Sequence, residues 1–302
     1  MNKGLHRYVL LLTGATFLLL IAGALVTSHD AGLATSDWPR SNGQWFPRMV
    51  GNLFWEHGHR MVATTVGFLT IGLNLYLFKE RRGWVRRLGL LALLGVIAQG
   101  LLGGLTVKLM LPLWVSSAHA TLAQLFFCTV VSLAVFTSPG WSQQHEVHEE
   151  QSGLPLRYLC LVAAVTIFLQ LILGATLRHS ATWDKHLPTE LVLAHIGGAI
   201  VVASTLSAAA ISTLRRHSSV PYLTRPATLA LILVGVQILL GLSAYITRLM
   251  SPNDPQPLNP MIGITVAHVV CGALVFAATI VLTLRTFKVL SVHQAVGELA
   301  TA

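Results

Sequence analysis

The chain is poor in charged residues and in cysteine. Only 10% of its 302 residues are Asp, Glu, Lys or Arg, whereas 54% are hydrophobic. This balance excludes an ordinary soluble domain and predicts a protein that crosses a membrane several times. The three cysteines, Cys128, Cys160 and Cys271, all fall inside apolar stretches, so the sequence indicates no disulfide framework.

Acidic residues are scarcer than basic ones, and the net charge is +9. In a soluble protein this excess would suggest nucleic acid as a partner. Here most of the Lys and Arg residues fall on cytoplasmic segments if the N-terminus is placed in the cytoplasm, and a dense group lies at 79–87. The positive-inside rule therefore predicts that both termini are cytoplasmic, with membrane lipid and not nucleic acid as the basic residues' partner.

The apolar residues are gathered into eight stretches, each close to the roughly 20 residues that cross the hydrocarbon. We predict membrane spans at about residues 8–28, 56–78, 87–107, 114–137, 156–176, 190–214, 226–247 and 262–287. The first stretch is longer than the apolar region of a usual secretory signal and seven more follow it. We therefore keep it as a membrane helix.

Short motifs recur between the two halves of the chain. Gln99-Gly-Leu-Leu-Gly103 in the third span matches Gln237-Ile-Leu-Leu-Gly241 in the seventh, and the fifth span carries Gln170-Leu-Ile-Leu-Gly174. Because each half has an even number of spans, the repeats run in the same direction through the membrane.

The acidic stretch at 143–153 divides the spans into two sets of four. The sequence thus predicts an all-α, polytopic membrane protein with eight transmembrane helices in two pseudo-symmetric four-helix bundles. The N-terminal half would cover 1–142, a cytoplasmic linker 143–153, and the C-terminal half 154–302.

A histidine lies three to six residues from the predicted start of every second span: His59, His119, His195 and His268. Ionisable side chains are expensive in a membrane and tend to be functional. Two facing helices with one histidine apiece can bind a haem iron from both faces. A lone histidine would more simply make an interhelical hydrogen bond, but four at equivalent positions favour two haem-binding pairs, one in each half.

Three other histidines lie near these pairs. His57 is two positions from His59 and points to nearly the opposite helix face, so we leave it out of the pair. His29 and His179 are expected on the outer side, where they would face water or meet a haem carboxylate.

The two halves differ beside the histidines. Glu56 lies three residues before His59, so both project from one helix face, whereas Val192 occupies the matching position in the second half. Two histidines on a haem in an apolar pocket suit electron transfer, and a nearby carboxylate can move protons or stabilise developing charge. The sequence therefore predicts one redox half and one reactive half, unless Glu56 only forms an interfacial ion pair with Arg60 or Arg48.

These residues resemble the haem A synthase family, bacterial and mitochondrial membrane enzymes that prepare the haem of aa3-type oxidases. The resemblance covers nearly the whole chain: eight spans, two four-helix halves, a long first outer loop, and the run 56–60 (Glu-His-Gly-His-Arg), which fits the family's Glu-x-x-His-Arg pattern. The steps at 23–27, 32–33 and 38–39 are similar to the family as well.

The resemblance implies a reaction and a role for each site residue. Haem O, which carries a farnesyl-derived tail, would have one ring methyl oxidised to a formyl group through two hydroxylations and loss of water. His195 and His268 would ligate a resident haem b, and His59 and His119 would hold the substrate haem. Glu56 would be the catalytic acid/base or the group that stabilises charge.

The resemblance also implies partners and a location. The implied partners are the farnesyltransferase that forms haem O, oxidase assembly factors and, in a homo-oligomer, a second copy of the chain. The implied location is the bacterial inner membrane. One departure matters, because many bacterial relatives carry a cysteine pair in the first outer loop and residues 29–55 contain none. A mechanism through loop thiols is excluded, and the route by which electrons leave stays open.

Two other classes of function fit parts of the sequence. A non-catalytic dihaem b-type electron-transfer cytochrome would need the four histidines and would not need Glu56. A transporter would fit the internal repeats but would require polar residues near mid-membrane, whereas the histidines cluster near one face.

Overall fold

The computed structural model describes residues 3–143, 148–150, 154–184, 188–250 and 259–292. Within these ranges the elements, in chain order, are α1 (Lys3–Ser28), α2 (Asn52–Leu77), α3 (Gly83–Lys108), α4 (Leu113–Thr137), α5 (Pro139–Ser142), β1 (His148–Glu150), α6 (Leu156–Asp184), α7 (Thr189–Arg216), α8 (Pro221–Met250), α9 (Asn259–Val289) and β2 (Leu290–Val292). All helices except the four-residue α5 are long and apolar enough to cross a membrane. The predicted all-α, eight-span architecture is confirmed, and the chain is a multi-pass membrane protein.

Most helices extend beyond the predicted spans, because backbone hydrogen bonding continues after the apolar stretch has ended. The histidines therefore lie further from the first residue of the helix than from the start of the predicted span, most of all His59 and His268. His59 follows the first residue of α2 by seven positions, and His268 follows the first residue of α9 by nine. With a rise of about 1.5 Å per residue, these positions lie roughly 10–14 Å from the helix starts.

Each half of the chain has its own core. The N-terminal core is formed by the first four helices. Its buried residues are Leu5, Val9, Leu12, Val66, Leu73, Leu77, Val85, Ala92, Phe126, Val130 and Leu133. A second core is formed mainly by α6–α9 and contains Leu206, Leu223 and Leu282, all fully buried. One buried cluster thus belongs to α1–α4, and the other belongs mainly to α6–α9.

The two sets meet through α1, α4, α6 and α9. Leu20 of α1, Phe127 of α4 and Ala273 of α9 belong to one buried cluster at this junction. The rings of Phe17 and Phe127 contribute a tilted contact, with centroids 6.0 Å apart. Aromatic and small side chains thus hold the two halves side by side.

Within each half the helices pack as hairpins. The most extensive contacts join α1 to α2, α3 to α4, α6 to α7 and α8 to α9, and each pair is connected at the end where the histidines lie. Interhelical hydrogen bonds support this packing, such as Tyr8 Oη donating to the Leu69 carbonyl at 2.9 Å and Asn74 Nδ2 donating to the Gly89 carbonyl at 3.0 Å. The repeating unit is therefore a two-helix hairpin that occurs four times.

Large apolar side chains also cover the outside of the bundle. Phe68 is 70% exposed, Leu75 73%, Leu193 64% and Leu239 65%. In water such a surface would drive association. In a membrane it contacts lipid tails, which are as apolar as the side chains.

The opposite end of the bundle is tied together by polar contacts. Arg82 donates from Nη1 to the Phe136 carbonyl at 2.9 Å and from Nε to Glu80 at 2.9 Å, and the hydrogen bonds from Arg82 lower the pKa of the Glu80 carboxyl. β1 and β2 form a parallel pair at this end. The predicted linker at 143–153 lies mostly outside the described residues, so the domain boundaries stay predictions.

Candidate functional site

The four predicted histidines come from α2, α4, α7 and α9 and are partly buried. The rings of His195 and His268 have centroids 6.3 Å apart and an interplanar angle of 71°. His59 lies on α2 and His119 on α4 of the other half. The structure therefore brings His195 and His268 together and places His59 and His119 within one set of four helices.

The spacing of the C-terminal pair suits one metal ion between two imidazoles. A ligating nitrogen lies about 2 Å from its metal and roughly 1 Å from its own ring centre, so two opposed ligands place their ring centres about 6 Å apart. The 6.3 Å between His195 and His268 agrees with this value. A pair of histidines from facing helices is also a donor set that haem iron accepts.

Each histidine ring lies against a glycine of the preceding helix in its hairpin. A Cβ atom added to that glycine would lie at or inside van der Waals contact with the edge of the ring. The pairs, with the distance from an ideal glycine Cβ to the histidine Cε1, are Gly23–His59 at 3.1 Å, Gly103–His119 at 3.1 Å, Gly174–His195 at 2.9 Å and Gly241–His268 at 2.8 Å. Distances below 3.0 Å essentially never occur for real Cβ atoms, so the two C-terminal rings occupy space that any other residue would take.

Three of the histidines also contact a glutamine one helical turn before that glycine. Nε2 of Gln170 donates to the backbone carbonyl of His195 at 2.8 Å and lies 3.0 Å from Nδ1 of the His195 ring. Nε2 of Gln99 donates to the His119 carbonyl at 2.9 Å and lies 3.5 Å from the ring Nε2.

In the last hairpin, Nε2 of Gln237 lies 3.3 Å from Nε2 of His268. The Gln-x-x-x-Gly motif thus places two features beside each of these rings: a carboxamide, and a glycine that has no side chain to displace the ring.

Several buried polar atoms of this group have no hydrogen-bond partner among the described residues. They are Oε1 of Gln99, Gln170 and Gln237, and Nδ1 of His59, His119 and His268. Leaving such atoms unpaired costs about 1–3 kcal/mol each. A histidine that gives one nitrogen to a metal carries a proton on the other, for which a carboxamide oxygen is a suitable acceptor. The residues present therefore fit a haem iron between each pair.

Glu56 is buried, only 4% exposed, under the loop at residues 29–51. Its carboxylate accepts a hydrogen bond from the backbone N–H of Thr35 at 3.0 Å and forms an ion pair with Arg60 one turn along α2. The ion pair considered as an alternative for this residue is thus present. A catalytic role for Glu56 stays a prediction.

Arg60 and His57 fasten the same loop to α2. Nη1 of Arg60 donates to the carbonyls of Asp37 and Arg40 at 2.8 and 2.9 Å. Nδ1 of His57 lies 2.8 Å from Oγ of Ser41, and both side chains are buried. The run at 56–60 therefore holds the loop through three of its five residues, while His59 faces Gly23.

The loop also reaches the hairpin that carries His119. A Cβ added to Gly104 would lie 2.7 Å from the Trp38 ring, so the indole packs on α3 directly beside the glycine that faces His119. Nζ of Lys108 donates to the Ser36 carbonyl at 3.3 Å. The loop consequently contacts both hairpins of the N-terminal half near its histidines.

The C-terminal half has a different environment. α7 begins at Thr189, only five residues after α6 ends at Asp184. Val192, at the position that matches Glu56, is a buried apolar side chain. Nη2 of Arg178, one turn beyond Gly174, donates to Ser28 Oγ at 2.6 Å and to the Ala24 carbonyl at 3.2 Å. This arginine links α6 to the end of α1 in the other half.

Sequence reasoning missed several of these contacts. His29 was expected to face water or a haem carboxylate, yet its Nδ1 lies 2.9 Å from the Leu25 carbonyl and its ring stacks on Trp55 at 4.0 Å. The glutamines were noticed only as a repeated motif, and their spacing of four residues from a glycine was the signal that could have placed them beside the rings. Nothing in the sequence marked Trp38 as a neighbour of α3.

Comparison with known proteins identifies a family. Residues 49–280 match the family model described as cytochrome oxidase assembly protein, COX15-CtaA. Three curated relatives are named haem A synthase. They come from Bacillus licheniformis (25% identity, 82% of this chain and 88% of the relative), Geobacillus kaustophilus (25%, 82% and 84%) and Shouchella clausii (26%, 82% and 88%).

Proposed function

The chain belongs to the COX15-CtaA family of cytochrome oxidase assembly proteins, and on that basis we propose that it is a haem A synthase, an enzyme of haem A biosynthesis in a bacterial membrane. Relatives with this name align with 82% of the chain. The chain is an oxidoreductase that converts the ring methyl group of haem O to a formyl group, and the product serves aa3-type oxidases.

The two histidine pairs have different roles. His195 and His268 would ligate a resident haem b, which would supply electron transfer. His59 and His119 hold the substrate haem. Binding of a haem iron at each pair is supported by the close approach of each ring to its glycine and by the unpaired buried atoms around the rings.

The observation that carries this proposal is that only one pair lies beside a carboxylate under a covering loop. Glu56 is held at two points, by the Thr35 amide and by Arg60, so its carboxylate keeps a fixed position. A carboxylate fixed in a site from which water is excluded can accept or return a proton, or stabilise positive charge as a methyl group is oxidised. Arg60 and the loop position Glu56 for that role.

The C-terminal pair lacks such a group on the matching helix, where Val192 is buried. An apolar setting and two histidine ligands favour a haem that stays bound and only changes its redox state. Residues 154–302 therefore form the haem b half, and residues 1–142 form the substrate half.

The proposal also covers the orientation of the enzyme in the membrane and its partners. Both termini lie in the cytoplasm, as the distribution of Lys and Arg favours, so the 29–51 loop is on the outer side. Haem O arrives from the farnesyltransferase that forms it, and haem A leaves to oxidase assembly factors. A homo-oligomer would be compatible with the lipid-facing surfaces. Residues 29–55 contain no cysteine, so electrons leave by a route other than loop thiols.

The second candidate is a dihaem b-type electron-transfer cytochrome without catalysis. It is favoured by the near equivalence of the four histidine–glycine contacts, since two similar bis-histidine sites suffice for electron transfer. It gives no reason for a buried ion pair of Glu56 and Arg60 beneath a loop.

One experiment separates the two functions. The full chain is expressed in a bacterium that lacks its own haem A synthase and supplies haem O, and the haems are extracted and weighed by mass spectrometry. We expect a haem whose mass matches the formyl product. Unchanged haem O in cells that contain the folded, haem b-loaded protein would refute the synthase and favour the electron carrier.

A further inference from the structure

The four hairpins differ at one position that precedes each histidine-facing glycine by four residues. Three hairpins carry glutamine there: Gln99, Gln170 and Gln237. The first hairpin carries Leu19, four residues before Gly23. Residues four apart share a helix face, so Leu19 occupies the place from which a carboxamide would reach His59.

Leu19 replaces glutamine in the N-terminal half, which by the proposed function binds a substrate haem and has to release it as product. In the C-terminal pair both His195 and His268 have a carboxamide within 3.3 Å of a ring nitrogen. In the N-terminal pair only His119 has one, at 3.5 Å. Among the described contacts none joins a carboxamide to His59, and Leu19 packs with the apolar core of that half.

A hydrogen-bond partner matters for a metal-ligating histidine. It fixes the orientation of the ring and makes the ligating nitrogen more basic, and its loss typically costs about 10- to 100-fold in metal affinity. A leucine offers neither effect, so the bond between His59 and an iron would be the weakest of the four.

We propose that His59 is the exchangeable ligand of the substrate haem, and that Leu19 makes it so by withholding the carboxamide that the other three histidines have. Gln99, Gln170 and Gln237 are positioning residues that keep their histidines bound. The haem enters and leaves the N-terminal pocket through breakage on the His59 side, while His119 retains its hold. This inference rests on the proposed assignment of His59 and His119 to the substrate haem.

The test introduces the missing group. Leu19→Gln is compared with the unaltered full chain, both isolated in detergent from cells that supply haem O, and release of each haem to excess apomyoglobin is followed by its absorption. We expect Leu19→Gln to slow release from the N-terminal pocket about 10- to 100-fold and to leave haem b release unchanged. The low-spin electron paramagnetic resonance signal of the N-terminal haem should shift toward that of the C-terminal haem.

A matched control and a reciprocal variant keep the inference testable if Leu19→Gln alters folding. Leu18→Gln adds the same amide to the neighbouring residue, which is 61% exposed on the outer surface of α1, and should leave both release rates unchanged. Gln99→Leu removes the carboxamide that contacts the N-terminal pair in the described structure and should speed release about 10- to 100-fold.

The outcomes separate this inference from the proposed function. If neither Leu19→Gln nor Gln99→Leu changes release from the N-terminal pocket while the unaltered chain still makes haem A, the inference is wrong and the synthase assignment stands. If Leu19→Gln slows release of the resident haem b instead, the assignment of the two pockets is wrong.

Discussion

The N-terminal and C-terminal halves present the same histidines on the same hairpins and surround them differently. In the N-terminal half a loop of residues 29–51 covers the site and contacts Glu56, His57 and Arg60 of α2. In the C-terminal half α7 begins at Thr189, only five residues after α6 ends at Asp184. The comparison teaches that duplication supplied two equivalent ligand sets and that loops and neighbouring side chains gave them different chemistry.

The ligand environment is also tighter in the C-terminal half. Its two glycine-to-ring distances are 2.8 and 2.9 Å, against 3.1 Å for both in the N-terminal half. Two carboxamides face its rings, against one in the N-terminal half. A site that keeps its cofactor gains from this close fit, whereas a site that exchanges its substrate does not.

Loss of a ligand should break the symmetry of the halves most strongly. We expect His268→Ala to abolish stable haem b, because one of two iron ligands is gone, with a loss of affinity beyond the about 10- to 100-fold that follows loss of a supporting residue. His119→Ala should keep haem b and lose haem A formation. Absorption spectra of the purified proteins and mass analysis of extracted haems measure both. Equal loss of haem b in the two variants would contradict the division between halves.

Removal of the carboxylate should stop the chemistry and spare the haem. We expect Glu56→Gln to retain haem b and to lower haem A formation by about 10²- to 10⁴-fold, the usual contribution of an acid–base group. Conversion is measured by mass analysis of extracted haems, and Glu56→Asp should recover part of it. Glu190→Gln, in the first turn of α7, is the control and should leave conversion unchanged. Normal haem A in Glu56→Gln would remove this residue from the mechanism.

Filling the gap beside a ring should affect the C-terminal half more than the N-terminal half. Gly241→Ala places a Cβ 2.8 Å from His268, and overpacking of this kind costs about 1–3 kcal/mol, so we expect reduced haem b content and a lower temperature of haem release. Gly103→Ala should perturb His119 less. Gly235→Ala, on the same helix with nothing within 4 Å, is the control. Similar losses in Gly235→Ala and Gly241→Ala would mean that helix packing, and not the ring, is responsible.

The smallest expected effect concerns the loop. Trp38→Ala removes the contact with Gly104, so the 29–51 loop should open more often and trypsin should cut after the exposed Arg40 severalfold faster. Haem b content should stay the same, since the described hydrogen bonds between the loop and the helices go to α1, α2 and α3 of the N-terminal half. Phe46→Ala, at a side chain that is 84% exposed, is the control. Unchanged cleavage in Trp38→Ala would show that this indole does not hold the loop closed.

Much of the architecture could be predicted from the sequence alone. Long apolar stretches with few charges leave the backbone no alternative to helices in a membrane, because every N–H and C=O must be paired within the segment. The eight spans follow directly from that constraint. The four histidines could be identified in the same way, because ionisable side chains at matching depth are too costly in a membrane to recur without use.

The sequence determined which residue types are available, and the tertiary structure decided which of them meet. That His59 lies over Gly23 and His268 over Gly241 depends on hairpin packing, which brings together residues more than 25 positions apart. The burial of Glu56 depends on a loop whose path is set by Arg60, Ser41 and Trp38. Such contacts could not be derived from periodicity, because periodicity fixes the face on which a side chain lies and not the neighbour that this face will contact.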